Sequence, residues 1–112
     1  MKNRILIILF LIFSCENNRN KDISKFTITD FSNERIDTLK PLSSKIYNSF
    51  YIKVNGFSND TIKIKRKGYY DINLSGSIDT LINGDYYGTE NIIWVFEPYK
   101  ATKGKLKIEY GL

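Results

Sequence analysis

The chain has 112 residues, with 17 lysines and arginines against 12 aspartates and glutamates, a formal net charge of +5, one cysteine and no histidine. Without histidine, Ser-His-Asp and Cys-His nucleophile arrangements and histidine-bearing metal sites are excluded. A single cysteine allows no internal disulfide, and so mild a charge balance does not mark a nucleic-acid-binding domain.

The first element is an apolar run from Ile5 to Phe13. Nine residues of helix reach about 14 Å at ~1.5 Å per residue, whereas a bilayer core needs about 30 Å. Lys2 and Arg4 precede the run and the small Ser14 follows it, which is the pattern of a secretory signal. Ile12-Phe13-Ser14-Cys15 resembles the lipobox of bacterial lipoproteins, with an aliphatic residue three before an obligatory cysteine and a small residue directly before it. The resemblance implies that residues 1–14 are removed as a signal peptide. It further implies that Cys15, the new N-terminus, carries a diacylglycerol on its sulfur and in many bacteria a third acyl chain on its amine. At roughly 0.8 kcal/mol per buried CH₂, such chains hold a domain on a membrane without a spanning helix. Glu16, not Asp, follows the cysteine, so the expected location is the cell envelope, at the outer membrane facing the periplasm. Loss of Lys2 and Arg4 lowers the net charge from +5 to +3. Acylation of Cys15 leaves no thiol for catalysis or metal binding.

Residues 15–24 then form the lipidated cysteine and a polar tether, and residues 25–112 a single domain. Within that domain alternation at period two recurs. Phe26 and Ile28 alternate with Lys25, Thr27 and Thr29; residues 34–45 read as a strand and a loop around Pro41. Phe50, Ile52 and Val54 form a strand ended by Asn55-Gly56, and Ile62 and Ile64 another ended by Lys67-Gly68. Tyr70, Ile72 and Leu74 lead to a joint at Ser75-Gly76-Ser77, and Asn83-Gly84 marks a further turn. Residues 92–96, five apolar side chains in a row, predict a central strand, either covered on both faces or with one face exposed. Pro98 ends it for lack of an amide, and Lys103-Gly104 introduces a last strand with Leu106, Ile108 and Tyr110 on one face. The expected fold is all-β: a small antiparallel β-sandwich or barrel of roughly six to eight short strands, after a cleaved N-terminal signal helix.

Chemistry-bearing patterns are few. In residues 71–82, Asp71, Asn73, Ser75, Gly76, Ile78 and Asp79 fall at positions 1, 3, 5, 6, 8 and 9 of an EF-hand-type loop. Position 12 is Ile82 instead of a bidentate carboxylate, and Ile72 and Leu74 would waste apolar side chains on a solvated loop. Two strands explain these residues better than a calcium loop. Asp71, Asp79, Asp85, Glu90 and Glu97 could pair for acid–base work, but nothing in their spacing places them together. The chain is expected to be no enzyme and to need no cofactor or metal. The basic cluster Lys63, Lys65, Arg66, Lys67 reads as a solvated strand face running into a turn, or else as a contact for anionic lipid or glycan.

Aromatic residues are the more informative class. Tyr69-Tyr70 and Tyr86-Tyr87 are adjacent pairs, and strand neighbours point to opposite faces, so one of each pair is expected outward. Tyr69, Tyr86, Tyr87, Trp94 and Tyr99 are therefore the candidate ligand-binding residues, with Cys15 the candidate lipidation site. Each of these aromatics has an alternative place in the core or in a cross-strand pair. The expected function is binding: of the membrane through acyl chains on Cys15, and of a glycan or other envelope component. A protein partner is the alternative, with the chain as an inhibitor, immunity protein or accessory subunit; nucleic acid is not expected.

Overall fold

Alternating side chains build six strands, all paired antiparallel: β1 (Ile23–Ile28), β2 (Arg35–Leu39), β3 (Ser49–Arg66), β4 (Asp71–Asp85), β5 (Ile92–Glu97) and β6 (Gly104–Gly111). The computed structural model describes residues 22–112; the expected signal segment, Cys15 and the tether as far as residue 21 lie outside the described residues. β1 starts at Ile23, so Asp22 to Ser24 belong to the fold and not to the tether. Asp22 is buried, takes a hydrogen bond from the Tyr47 hydroxyl at 3.0 Å, and accepts the Leu112 amide at its carbonyl.

The sheet order is β1-β6-β3-β5-β2, with β4 on the other edge of β3. β3 is the spine. Its first half pairs with β6 and its last residues with β5, while β4 runs along its opposite edge for almost the whole length. A straight strand of this length would hold its ends about 60 Å apart. Yet the Arg66 guanidinium, at one end, lies 5.3 Å from the ring centroid of Phe50 near the other. The β3–β4 ribbon is therefore folded back on itself.

The bend has a local cause. Between Ser58 and Ile62 the register shifts: four steps along β3 match only two along β4, from Gly76 to Leu74. The surplus lies on the outside of the curve, as in a β-bulge. Gly76 adopts a φ of 71° on the inner ribbon, and the buried Ser58 hydroxyl donates to the Asp60 carbonyl at 2.8 Å. Asn59, at the apex, accepts the Thr102 and Lys103 amides and donates to the Thr102 hydroxyl, tying the β5–β6 connection to the bend.

Three expected turns are thus absent. Asn55-Gly56 lies inside β3, where Gly56 lets the β6 backbone approach so closely that a Cβ would overlap the Lys105 carbonyl oxygen. Ser75-Gly76-Ser77 is continuous strand in β4, and Asn83-Gly84 is still paired with β3. Two of the six strands are long as a result, not short. Lys67-Gly68 does turn the chain, and Lys103-Gly104 does open β6.

Folding the ribbon brings Ile52 and Val54 of one half over Ile62 and Ile64 of the other, with Ile92, Trp94 and Phe96 and with Leu106, Ile108 and Tyr110 completing the core. β5 buries one face fully; Ile93 and Val95 on its other face are half-covered. The sheet then nearly closes into a barrel. β1 and β2 share no ladder but are bridged by side chains: Ser24 donates to Asp37 at 3.3 Å, and the Arg35 guanidinium lies 3.8 Å from the Phe26 ring centroid.

Three tyrosines are placed so that their neutral form is favoured. Burial, then the hydrogen bond to Glu109, pushes Tyr51 up to about 12; burial raises Tyr110 strongly, and raises Tyr86 against the opposing pull of Arg66. An unfolded tyrosine ionises near ~10. The folded chain therefore holds protons that the unfolded chain has lost, and the stabilisation present below pH ~10 disappears as pH rises towards 12. Urea midpoints should fall steeply between these values, with late tyrosinate absorbance from these three side chains. A single tyrosine titration near the unperturbed value, with the fold intact, would contradict these environments.

Candidate functional site

The open end of the folded ribbon forms a cleft of about 250 Å³. It is lined from β3 by Phe50 and Arg66, from the turn between β3 and β4 by Tyr69 and Tyr70, from β4 by Ile72, Ile82, Asn83, Gly84 and Asp85, and from β5 by Trp94. The walls follow from register. Phe50 faces Gly84 across the β3–β4 ladder, and a Cβ on Gly84 would overlap the Phe50 ring, so the ring lies flat on the glycine. Arg66 faces Trp94 across the β3–β5 ladder.

Arg66 organises the aromatic end. Its guanidinium stands 4.3 Å from the Tyr69 ring centroid, 5.3 Å from Phe50 and 5.9 Å from Tyr86. Among the described residues it makes no ion pair, so its charge is held against ring faces. Behind the cleft an aromatic column runs through the core: Phe50 tilts against Trp94 at 5.5 Å, Trp94 stacks on Tyr110 at 5.1 Å and 7°, and Tyr110 meets Phe26 at 5.6 Å. The Trp94 indole nitrogen and the Tyr110 hydroxyl are buried without a partner among the described residues.

The candidate residues part company here. Tyr69 is exposed on the cleft wall. Trp94 lines the same cleft but is only 2% exposed, so it is part of the core and not a surface platform. Tyr86 is also buried, T-shaped against Tyr47, with its hydroxyl donating to the Glu90 carbonyl. Its neighbour Tyr87 is exposed in an adjoining depression of about 340 Å³ that shares Arg66, Tyr69 and Asp85 with the cleft. Tyr99 does not line the cleft. It sits at positive φ in the turn closed by the Ala101 amide on the Pro98 carbonyl, with Lys63 4.2 Å from its ring centroid.

The one-in, one-out expectation holds for Tyr86 and Tyr87 but not for Tyr69 and Tyr70, which are both exposed because they lie in the turn before β4. Phe50, Arg66 and Tyr70 complete the site; Tyr70 and Arg66 stand out locally as one of a tyrosine pair and one of a basic cluster, but Phe50 and Arg66 meet only because β3 bends. The basic cluster is largely engaged. Lys63 lies 3.5 Å from Asp71, Lys65 lies 3.2 Å from Glu97, and Arg66 stands among rings. Residues 71–82 run as strand throughout, with Asp71, Asn73, Ser75 and Asp79 all pointing outward.

No family model matches this chain, and no curated protein does. Solved structures give distant likenesses. A de novo designed double-stranded β-helix is 10% identical over 79% of this chain and 96% of its own, with a TM-score of 0.46. PirA is 10% identical over 83% and 96%, with a TM-score of 0.49. A family 29 carbohydrate-binding module from Piromyces equi is 18% identical over 81% and 80%, with a TM-score of 0.41. At these values the three structures say nothing of what this chain binds.

Proposed function

We propose that this chain is a lipid-anchored binding domain of the bacterial cell envelope, without catalytic activity, that holds a glycan in the aromatic cleft. The anchor is Cys15, acylated after removal of residues 1–14, and the expected site is the outer membrane facing the periplasm. The observation that carries the binding role is the cleft itself: exposed Tyr69 and Tyr70 together with apolar Phe50 and Ile82, with Asn83 and Asp85 also in the lining. Sugar rings offer apolar C–H faces to aromatic walls and hydroxyls to carboxylate and amide groups. A volume of about 250 Å³ is below the ~300–1,000 Å³ of drug-sized pockets, which suits one ring of a longer chain.

Trp94, the sole tryptophan, reports on the cleft from its floor. Titration of the protein with N-acetylglucosamine oligomers and soluble peptidoglycan fragments should change its emission in a saturable way. Tyr69→Ala should weaken that binding about tenfold or more, the loss of ~1.4 kcal/mol expected for one stacking anchor. No saturable response by fluorescence, and no heat by calorimetry, would remove the glycan role.

One observation favours a second reading. Among the described residues the outer edge of β4, fifteen residues long, pairs with no strand, and such an edge accepts a strand from a partner protein. Crosslinking in membranes followed by mass spectrometry would place a partner on Asp71–Asp85 if that reading holds.

A further inference from the structure

Among the described residues a second concavity is larger than the aromatic cleft. It lies on the outer face of the β1-β6-β3-β4 sheet, measures about 630 Å³, and is lined by Lys25, Lys53, Lys105, Lys107, Phe57 and Glu109, with Asp79 at its rim. The ladders set the arrangement. Leu81, Lys53, Glu109 and Lys25 form one row across the four strands, Asp79, Asn55, Lys107 and Thr27 the next, and Ser77, Phe57 and Lys105 a third. Alternation turns all of these side chains away from the core.

All four lysines are exposed, and among the described residues none makes an ion pair. Glu109, between Lys53 and Lys25, accepts the Tyr51 hydroxyl. Large apolar side chains stand among the charges: Phe57 is 51% exposed, Leu81 58% and Ile23 41%. The segment Gly68 to Tyr99, which reaches this face only through β4, contains five carboxylates and no lysine or arginine, and of these five Asp79 lines the rim of the concavity.

We infer that this face docks on an anionic membrane surface. Basic side chains interspersed with exposed apolar ones are what such a surface selects, the charges for headgroups and the apolar groups for the interface. The start of the described chain points to the same occupant. Ile23 opens β1 on this face, and the seven steps from Cys15 to Asp22 reach at most about 25 Å. An anchor at Cys15 therefore keeps the lysines close to the bilayer. That part rests on the anchor proposed above; the charge and apolar pattern does not.

The test uses the full-length protein purified from membranes and reconstituted into vesicles of phosphatidylcholine alone or with about a third phosphatidylglycerol, in buffer of roughly 0.1–0.15 M ionic strength, where surface charge is felt over a Debye length of ~8–10 Å. Lysine acylation is then mapped peptide by peptide. Lys25, Lys53, Lys105 and Lys107 should label severalfold more slowly on the anionic vesicles, with Lys63, Lys65 and Lys100 unchanged and high salt abolishing the difference. Equal labelling on both vesicles overturns the inference. So does protection by a soluble acidic polysaccharide such as alginate when the anionic vesicles give none. Intact mass of the same sample reports separately on Cys15: an unacylated chain refutes the anchor, while protection on added anionic vesicles still decides the face.

Discussion

Trp94→Ala should lower the unfolding free energy by about 3–5 kcal/mol, in the range for deleting a buried large aromatic. The indole is 2% exposed on the central strand β5, stacked on Tyr110 on one side and against Phe50 on the other. Its loss opens a void between the two halves of the folded ribbon, and no neighbouring backbone is free to collapse into it, because β5 is paired on both edges. Domains of this size are stable by only about 5–15 kcal/mol, so the variant should sit near its unfolding midpoint under mild conditions. Urea unfolding followed by far-UV circular dichroism measures the effect. Trp94→Phe should recover most of the loss, since a ring stays in the column and the unpartnered indole donor is removed. A change of under ~0.5 kcal/mol for Trp94→Ala, the range of ordinary surface substitutions, would mean that the ring is not in the core.

Gly56→Ala should be about as damaging, for a different reason. The added Cβ would overlap the Lys105 carbonyl oxygen, and the residue sits at a φ of 138°. Overpacking costs typically ~1–3 kcal/mol and a disallowed backbone conformation a further ~1–3, so a loss of about 2–6 kcal/mol is expected. The obstructing atom is backbone in the β3–β6 ladder, so relief requires breaking strand pairing. Gly76→Ala is the matched comparison. Its φ of 71° is also positive, but nothing lies within 4 Å of the new Cβ, so only the conformational cost of about 1–2 kcal/mol remains. Equal denaturation midpoints for the two variants would show that close strand approach is not what Gly56 provides.

These glycines mark where local patterns stop being informative. Glycine supplies positive φ in a turn, room for a second backbone, or relief in a bent ribbon, and its neighbours look alike in all three cases. Lys67-Gly68 is a turn, Asn55-Gly56 is a close approach, and Ser75-Gly76-Ser77 is the inside of a bend. Aromatic residues divide the same way. Alternation shows that Tyr86 and Tyr87 face opposite ways, but which of them is buried depends on Tyr47, Arg66 and Glu90 packed around it. The lysines give a third case. Four cations within residues 63–67 stand out in the sequence, yet Lys63 and Lys65 meet carboxylates brought in from β4 and β5, whereas Lys25, Lys53, Lys105 and Lys107 gather on one face from three strands.

By itself the sequence determined the all-β class, the inward faces of β1 and β6, and the strand end before Pro98, because side-chain alternation and the missing proline amide act over a few residues. The tertiary structure decided that β3 and β4 are single long strands bent double, that Phe50 and Arg66 meet over Trp94, and that the unpaired lysines share a surface with the start of β1. Each of these depends on contacts between residues far apart in the chain. Such contacts are set by register and by a two-residue bulge, and neither leaves a periodic trace in the sequence.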